Sequence, residues 1–456
     1  MTLGRKLDGF LLVFWPDLSG FYGAHLLDHQ VFDFTPEFKK TTLDCGVRVV
    51  TEHHPYSRAT CTSVYVMTGS RDEGADMNGA AHFLEHLVFK GTENRTAYEL
   101  ASVLEAVGGE LNAYTTKEFT CFHAATLREH TSLSLDVLLD LAQNAKFTQD
   151  DFDRERQVVE QEIDMSEEQF EELIFDLYFE RVYQGHPLAQ PILGTKQSLR
   201  GMTPDQIMSF YRSRYGGERM IVSVAGSVDH DTVVKEVRQR LKGVENPVQV
   251  DRHVPKAQSF IEIIKKPSEQ AHILVGFPSP SIRDAQRFDA YLVNTLLGGG
   301  MTSRFYQRLR EELGLVYSVY SYLHSFTDAG LQMLYAATSP ELLPQALEAI
   351  QDEFKKLRDT GVTQTEIDFF KQQLRGQLLL AADDIENRMN SIAANEMVFG
   401  EYRSVESVIA DVETVSQKSV QEFLDKYIDS NYLGVMLLGN FEASSIRPMA
   451  EKVFSR

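Results

Sequence analysis

The chain has 456 residues, about three times a ~150-residue domain, which favours two domains over one. Its net charge of −21, from 66 acidic and 45 basic residues, argues against nucleic acid or an anionic membrane surface as the partner. Its three cysteines, Cys45, Cys61 and Cys121, are too widely spaced for a disulfide framework or a thiolate metal site.

No apolar run approaches the ~18 residues of a membrane-spanning helix. Arg5 and Lys6 precede a short apolar run, Gly9 to Trp15, but Pro16 and Asp17 end it and no A-x-A site follows. Residues 1–38 therefore read as an extension rather than a cleaved signal. With no transit-like segment, a bacterial cytoplasm is the expected compartment; a periplasm or a mitochondrial matrix is also compatible.

The first strands surround a turn at Asp44-Cys-Gly46, and another runs from Thr62 to Met67. Helical periodicity covers Gly79–Phe89, Ala97–Val107 and Leu133–Ala145, with a strand-like stretch from Leu111 to Leu127. A long helix is predicted from Gln149 to about Tyr183. Residues 244–258, with Pro247 and Pro255, read as a linker. The pattern then restarts with strands at Phe260–Ile264 and His272–Phe277, a helix at Phe288–Leu297, Gly298-Gly-Gly300 and a helix through Arg310. Ala124-Ala-Thr126 matches Ala336-Ala-Thr338, and Thr148-Gln149 matches Thr363-Gln364 at the start of a long helix. The expectation is an α+β chain of two homologous domains, 39–243 and 259–456, each a mostly antiparallel sheet covered by helices.

His82-Phe-Leu-Glu-His86 carries the chemistry. On a helix, residues i and i+4 share a face with i+3 beside them, so His82, Glu85 and His86 converge. Two imidazoles at this spacing suit Zn²⁺, and the carboxylate is left free to accept a proton from water. Ala80, Ala81, Phe83, Leu84, Leu87 and Val88 make the helix a buried one, where unpartnered His and Glu are costly. A third ligand is expected from another rigid element. Between Phe152 and Ile163, Glu155, Val158, Val159 and Glu162 form one stripe, with Val158 and Val159 expected to face inward. Glu162 can ligate, and Glu155 can orient a histidine or assist proton transfer. Glu160 lies on the opposite, solvated side.

These motifs, with Gly79–Thr92 and Gly109-Glu-Leu-Asn-Ala-Tyr-Thr115, resemble the pitrilysin-type, inverted-motif (HxxEH) zinc peptidases. The likeness is to their short single-chain branch, whose members resemble the mitochondrial processing peptidase, and it covers about Lys39 to the C-terminus. It implies one Zn²⁺ per chain on His82, His86 and Glu162, the last about 76 residues beyond the second histidine, as in the family. It also implies Glu85 as general base and Glu155 as a catalytic helper. In Leu309–Ser318 it implies an Arg–Tyr element, Arg310 and Tyr317, that completes a zinc site on another two-domain unit. A homodimer acting in trans follows from it. Gly298–Gly300 resembles the family's glycine-rich loop, though a plain helix-to-helix turn explains it equally well.

The strand around Asn112, Ala113 and Tyr114 is expected to present an edge to which an extended peptide substrate adds. The expected activity is zinc-dependent cleavage of short or unfolded, basic peptides. The alternatives are a non-catalytic subunit of a processing complex and an obligate heterodimer with a sister chain. From Asp150 to Glu172 the chain holds eleven acidic and two basic residues. Glu160, Asp164, Glu167, Glu168, Glu171 and Glu172 are therefore expected to form an acidic wall.

Overall fold

The computed structural model describes residues 36–241, 248, 250–428 and 433–454. All but the last three residues of the expected extension, and most of 244–249, lie outside the described residues.

Strands β1 (Glu37–Thr42) and β2 (Arg48–His53) form the expected hairpin, with Gly46 at φ +88°, a left-handed conformation that suits glycine. The chain continues through β3 (Ala59–Val66), α1 (Ala80–Val88) and α2 (Ala97–Glu105). The strand-like stretch that follows is a hairpin of β4 (Glu110–Thr115) and β5 (Thr120–Leu127). Helices α3 (Thr131–Asn144), α4 (Gln149–Glu168), α5 (Phe170–Val182), α6 (Lys196–Gly201) and α7 (Pro204–Arg214) precede β6 (Met220–Gly226) and α8 (His230–Arg240).

The second half opens with β7 (Phe260–Lys265), β8 (Ala271–Ser279) and α9 (Arg287–Gly298). Where the sequence predicts an ordinary helix through Arg310, residues Tyr306–Glu312 form a π-helical segment. Next come β9 (Ser318–Ser325), β10 (Gly330–Thr338), α10 (Leu343–Thr360), α11 (Gln364–Ala382) and α12 (Ile385–Val398). The half ends with α13 (Val405–Thr414), α14 (Gln417–Tyr427), β11 (Gly434–Gly439) and α15 (Ala443–Phe454).

The repeat legible in the sequence is a repeat of topology. One sheet has the order β1-β2-β6-β3-β5-β4 and the other β7-β11-β8-β10-β9. Leaving β1 aside, each is one parallel pair followed by antiparallel strands in the same order. Thr148 and Thr363 cap α4 and α11 alike, each accepting a hydrogen bond from the backbone N–H three residues on. The fold is therefore α+β with two sheets.

The single helix expected from Gln149 to Tyr183 is broken at Gln169 (φ −89°, ψ 82°) into α4 and α5. No Gly or Pro marks this break; tertiary packing produces it. Helix α5 turns away to bury Ile174, Tyr178 and Phe179 against Leu274, Met333 and Met436 of the second sheet. In exchange, α12 lays Ile392 and Ala393 on Val50, Tyr65 and Ile221 of the first sheet.

This exchange is locked by a buried ion pair. Arg388 donates Nε and Nη2 to the two oxygens of Glu52, both at 2.7 Å, and Tyr402 Oη adds a bond at 3.0 Å. Burial alone would raise the Glu52 carboxyl, but the bonds from Arg388 and His54 hold it at about 2. The stability it contributes is thus complete above its unfolded value of 4.5 and is lost as pH falls toward 2. Arg388→Ala strands the carboxylate, and urea unfolding at neutral pH should show a loss of about 3–5 kcal/mol. A variant as stable as wild type would remove the pair as the lock.

Candidate metal centre and catalytic cavity

The residue that precedes and caps helix α1 is Gly79, which offers no side chain for the purpose. Glu73 supplies the acceptor instead. Its buried carboxylate takes bonds from Gly79 N at 2.8 Å and Ala81 N at 2.7 Å, and from Asn78 Nδ2 at 3.3 Å. The helix buries Ala80, Ala81, Phe83, Leu84, Leu87 and Val88, which turns His82, Glu85 and His86 toward one open face.

Helix α4 faces them. Its buried stripe is Phe152, Glu155, Val159 and Ile163. Val158, predicted to point inward, is 37% exposed. At about 100° per residue, Phe152 and Ile163 shift the stripe's centre toward Val159 and carry Val158 off its edge. Glu162 falls at that edge, half-buried, and reaches the α1 histidines. Its Oε2 lies 3.4 Å from His86 Nε2 and 3.8 Å from His82 Nε2. One ligand atom from each of His82, His86 and Glu162 lies within 4.8 Å of the others.

Glu155 takes the other side of the His86 ring. Its Oε2 is 3.4 Å from Nδ1, while Oε1 accepts from Lys90 Nζ at 2.9 Å. A carboxylate on the far nitrogen is the usual way a ligating imidazole is oriented. Burial, with His86 adding to it, holds the His82 imidazole down to about 3, which keeps it neutral and able to donate a lone pair. His82 Nδ1 is buried with no hydrogen-bond partner. Two imidazole donors and one carboxylate suit Zn²⁺ with a position left open. Burial raises the Glu85 carboxyl against an opposing bond from Thr115 Oγ1 at 2.5 Å. Neither Glu73, Lys90 nor Thr115 was assigned a role from the sequence.

The cluster opens on a cavity of about 880 Å³. Ala113 and Tyr114 of β4 line one side, and Tyr320, Tyr322 and His324 of β9 line another. Asn112 faces a neighbouring cavity instead. The expected acidic wall is narrower than the sequence suggests. Glu172 and Asp176 line the cavity. Glu160 is spent on a two-bond pair with Arg200 at 2.9 Å, and Asp164 on Lys196. Glu171 accepts from Tyr320 Oη at 3.0 Å, and Glu167 lines a smaller cavity. Among the described residues, the one lysine or arginine lining the cavity of about 880 Å³ is Lys117, which is buried and donates to Gln190 O at 2.7 Å.

Arg310 and Tyr317 do not line this cavity. They sit together, with Arg310 Nη1 donating to Tyr317 O at 2.8 Å and the Tyr317 side chain 60% exposed. Gly298 is fixed by packing: a Cβ there would stand 2.2 Å from Ser321 N. Gly299 and Gly300 are exposed.

Two family profiles match the chain: "Insulinase (Peptidase family M16)" over residues 48–196 and "Peptidase M16 inactive domain" over 201–374. An uncharacterized zinc protease of Mycobacterium leprae is 37% identical over 90% of this chain and 93% of its own length. One of Bacillus subtilis is 34% identical over 86% and 96%. Among solved structures, a protease from Helicobacter pylori superposes with a TM-score of 0.82 at 21% identity, covering 88% of this chain and 99% of the other. A peptidase M16 inactive domain from Pseudomonas fluorescens gives 0.83 at 18% identity, over 89% and 98%. Both share the fold.

Proposed function

This chain belongs to peptidase family M16, and from that premise we propose that it is a zinc-dependent endopeptidase acting on short or unfolded, basic peptides. The observation that carries this reading is the convergence of His82, His86 and Glu162 beside Glu85, at the margin of a cavity flanked by a strand edge that is unpaired among the described residues.

His82, His86 and Glu162 would hold one Zn²⁺ per chain. When bound, the metal acidifies water and polarises the scissile carbonyl. Glu85 accepts the proton of the attacking water and passes it to the departing amine. Its raised carboxyl brings it nearer the working pH for both transfers. Glu155, itself held by Lys90, orients the His86 ring. The free edge of β4 at Ala113 and Tyr114 aligns the substrate main chain. Glu172 and Asp176, set among Phe175, Tyr320 and Tyr322, favour a cationic side chain on the substrate.

Because Arg310 and Tyr317 do not reach the cavity of their own chain, the active assembly is proposed to be a homodimer. There the pair of one copy holds the peptide and the oxyanion at the site of the other. A non-catalytic subunit is the rival reading. The complete ligand set with its base favours the peptidase.

The substrate class is tested with unstructured peptides that differ only in Arg or Glu on the N-terminal side of the cleaved bond. The Arg peptide should be cleaved about five- to tenfold better at low salt, and the ratio should shrink toward one near 1 M salt. Equal cleavage of the two at low salt would remove the basic preference.

A further inference from the structure

Strand β4 ends its sheet, so among the described residues its outer edge pairs with no strand from Glu110 to Thr115. Two cavities lie along that edge. The zinc-site cavity takes Ala113 to Lys117, and a second, of about 670 Å³, takes Gly109 to Asn112. At roughly 3.3 Å per residue, one extended peptide on β4 runs through both. In the better-bonded antiparallel orientation its N-terminal side lies by Thr115 and its C-terminal side by Glu110. The second cavity is then the seat of the segment that leaves with the new amine.

Its chemistry differs from that of the first. Phe89, Leu100 and Ala101 give it an apolar side. Glu105 and Glu110 stand exposed at its rim, and Glu386 contributes a third carboxylate beside His123 at 3.2 Å. Among the described residues, the one primary ammonium that lines it, Lys90, is held by Glu155 at 2.9 Å. The uncompensated charge is therefore negative. A long side chain with an apolar stem and a cationic head fits both surfaces.

We infer that the groove between α2 and the outer edge of β4 binds the leaving-side segment of the substrate and selects Lys or Arg within it. This rests on the peptidase reading and adds a second region of basic preference, separate from that at Glu172 and Asp176.

The test uses two measurements. In the first, peptides identical up to the cleaved bond carry either Arg or Glu at the second to fourth positions after it. Wild type should favour Arg by about fivefold in kcat/KM, and Glu105→Gln/Glu110→Gln should reduce that ratio to below about twofold. An unchanged ratio in the double variant overturns the groove. In the second, a fluorescent fragment matching the Arg-bearing leaving side is bound to the Glu85→Gln chain. It should bind more tightly than its Glu counterpart, and the same double variant should abolish the difference. Equal binding of the two fragments also overturns the groove. If wild type cleaves no peptide at all, the peptidase reading fails, and the fragment measurement still decides the groove.

Discussion

Glu85→Gln is expected to retain the metal and to lose peptide cleavage by about 10²–10⁴-fold, the range for removing a positioned acid–base group. The reasons are geometric. Glu85 shares the open face of α1 with both histidines but is not among the three residues whose ligand atoms cluster. Glutamine preserves its size and its ability to accept the bond from Thr115 Oγ1, so fold and metal site stay intact. Glutamine cannot accept the proton of an attacking water. Metal content by mass spectrometry and kcat on a basic peptide read the two halves of the expectation. Wild-type kcat with full metal would remove Glu85 from the reaction.

Arg310 and Tyr317 give the second large effect. Arg310→Ala is expected to lower kcat by about 10²–10³-fold, as does loss of an oxyanion donor. The decisive version mixes two inactive chains. A heterodimer of Glu85→Gln with Arg310→Ala contains one site in which both elements are intact, if they meet in trans. Random pairing of the two chains should then restore about a quarter of the wild-type activity. If each site were completed within its own chain, every site in the mixture would lack one element and nothing would return. The exposure of Tyr317, and the absence of both residues from their own zinc-site cavity, favour the first outcome.

Much of the site was legible because it rests on helical geometry. His82, Glu85 and His86 need only 3.6 residues per turn to converge, and Glu155 and Glu162 need one face of α4. Val158 lies outside the buried stripe because Phe152 and Ile163, not the adjacent valines, set its centre. The capping carboxylate of Glu73 and the hydroxyl of Thr115 were not assigned, since they reach α1 from 8 and 30 residues away through loop paths that no periodicity encodes. The acidic wall is narrower than its local sequence implies for a related reason. Arg200 and Lys196, which neutralise Glu160 and Asp164, lie 40 and 32 residues further along. In the fold, the repeat was visible as matched motifs, while the break at Gln169 was not. It arises from the aromatic face that α5 offers to the second sheet.

One catalytic zinc per chain on His82, His86 and Glu162 is the proposed centre. It is tested most directly by stripping the purified protein with a chelator and titrating zinc back while following cleavage of a basic peptide. Activity should be absent without metal, rise linearly and level off at one zinc per chain. A stripped chain that cleaves at the wild-type rate, or a titration that levels off well away from one equivalent, would contradict it.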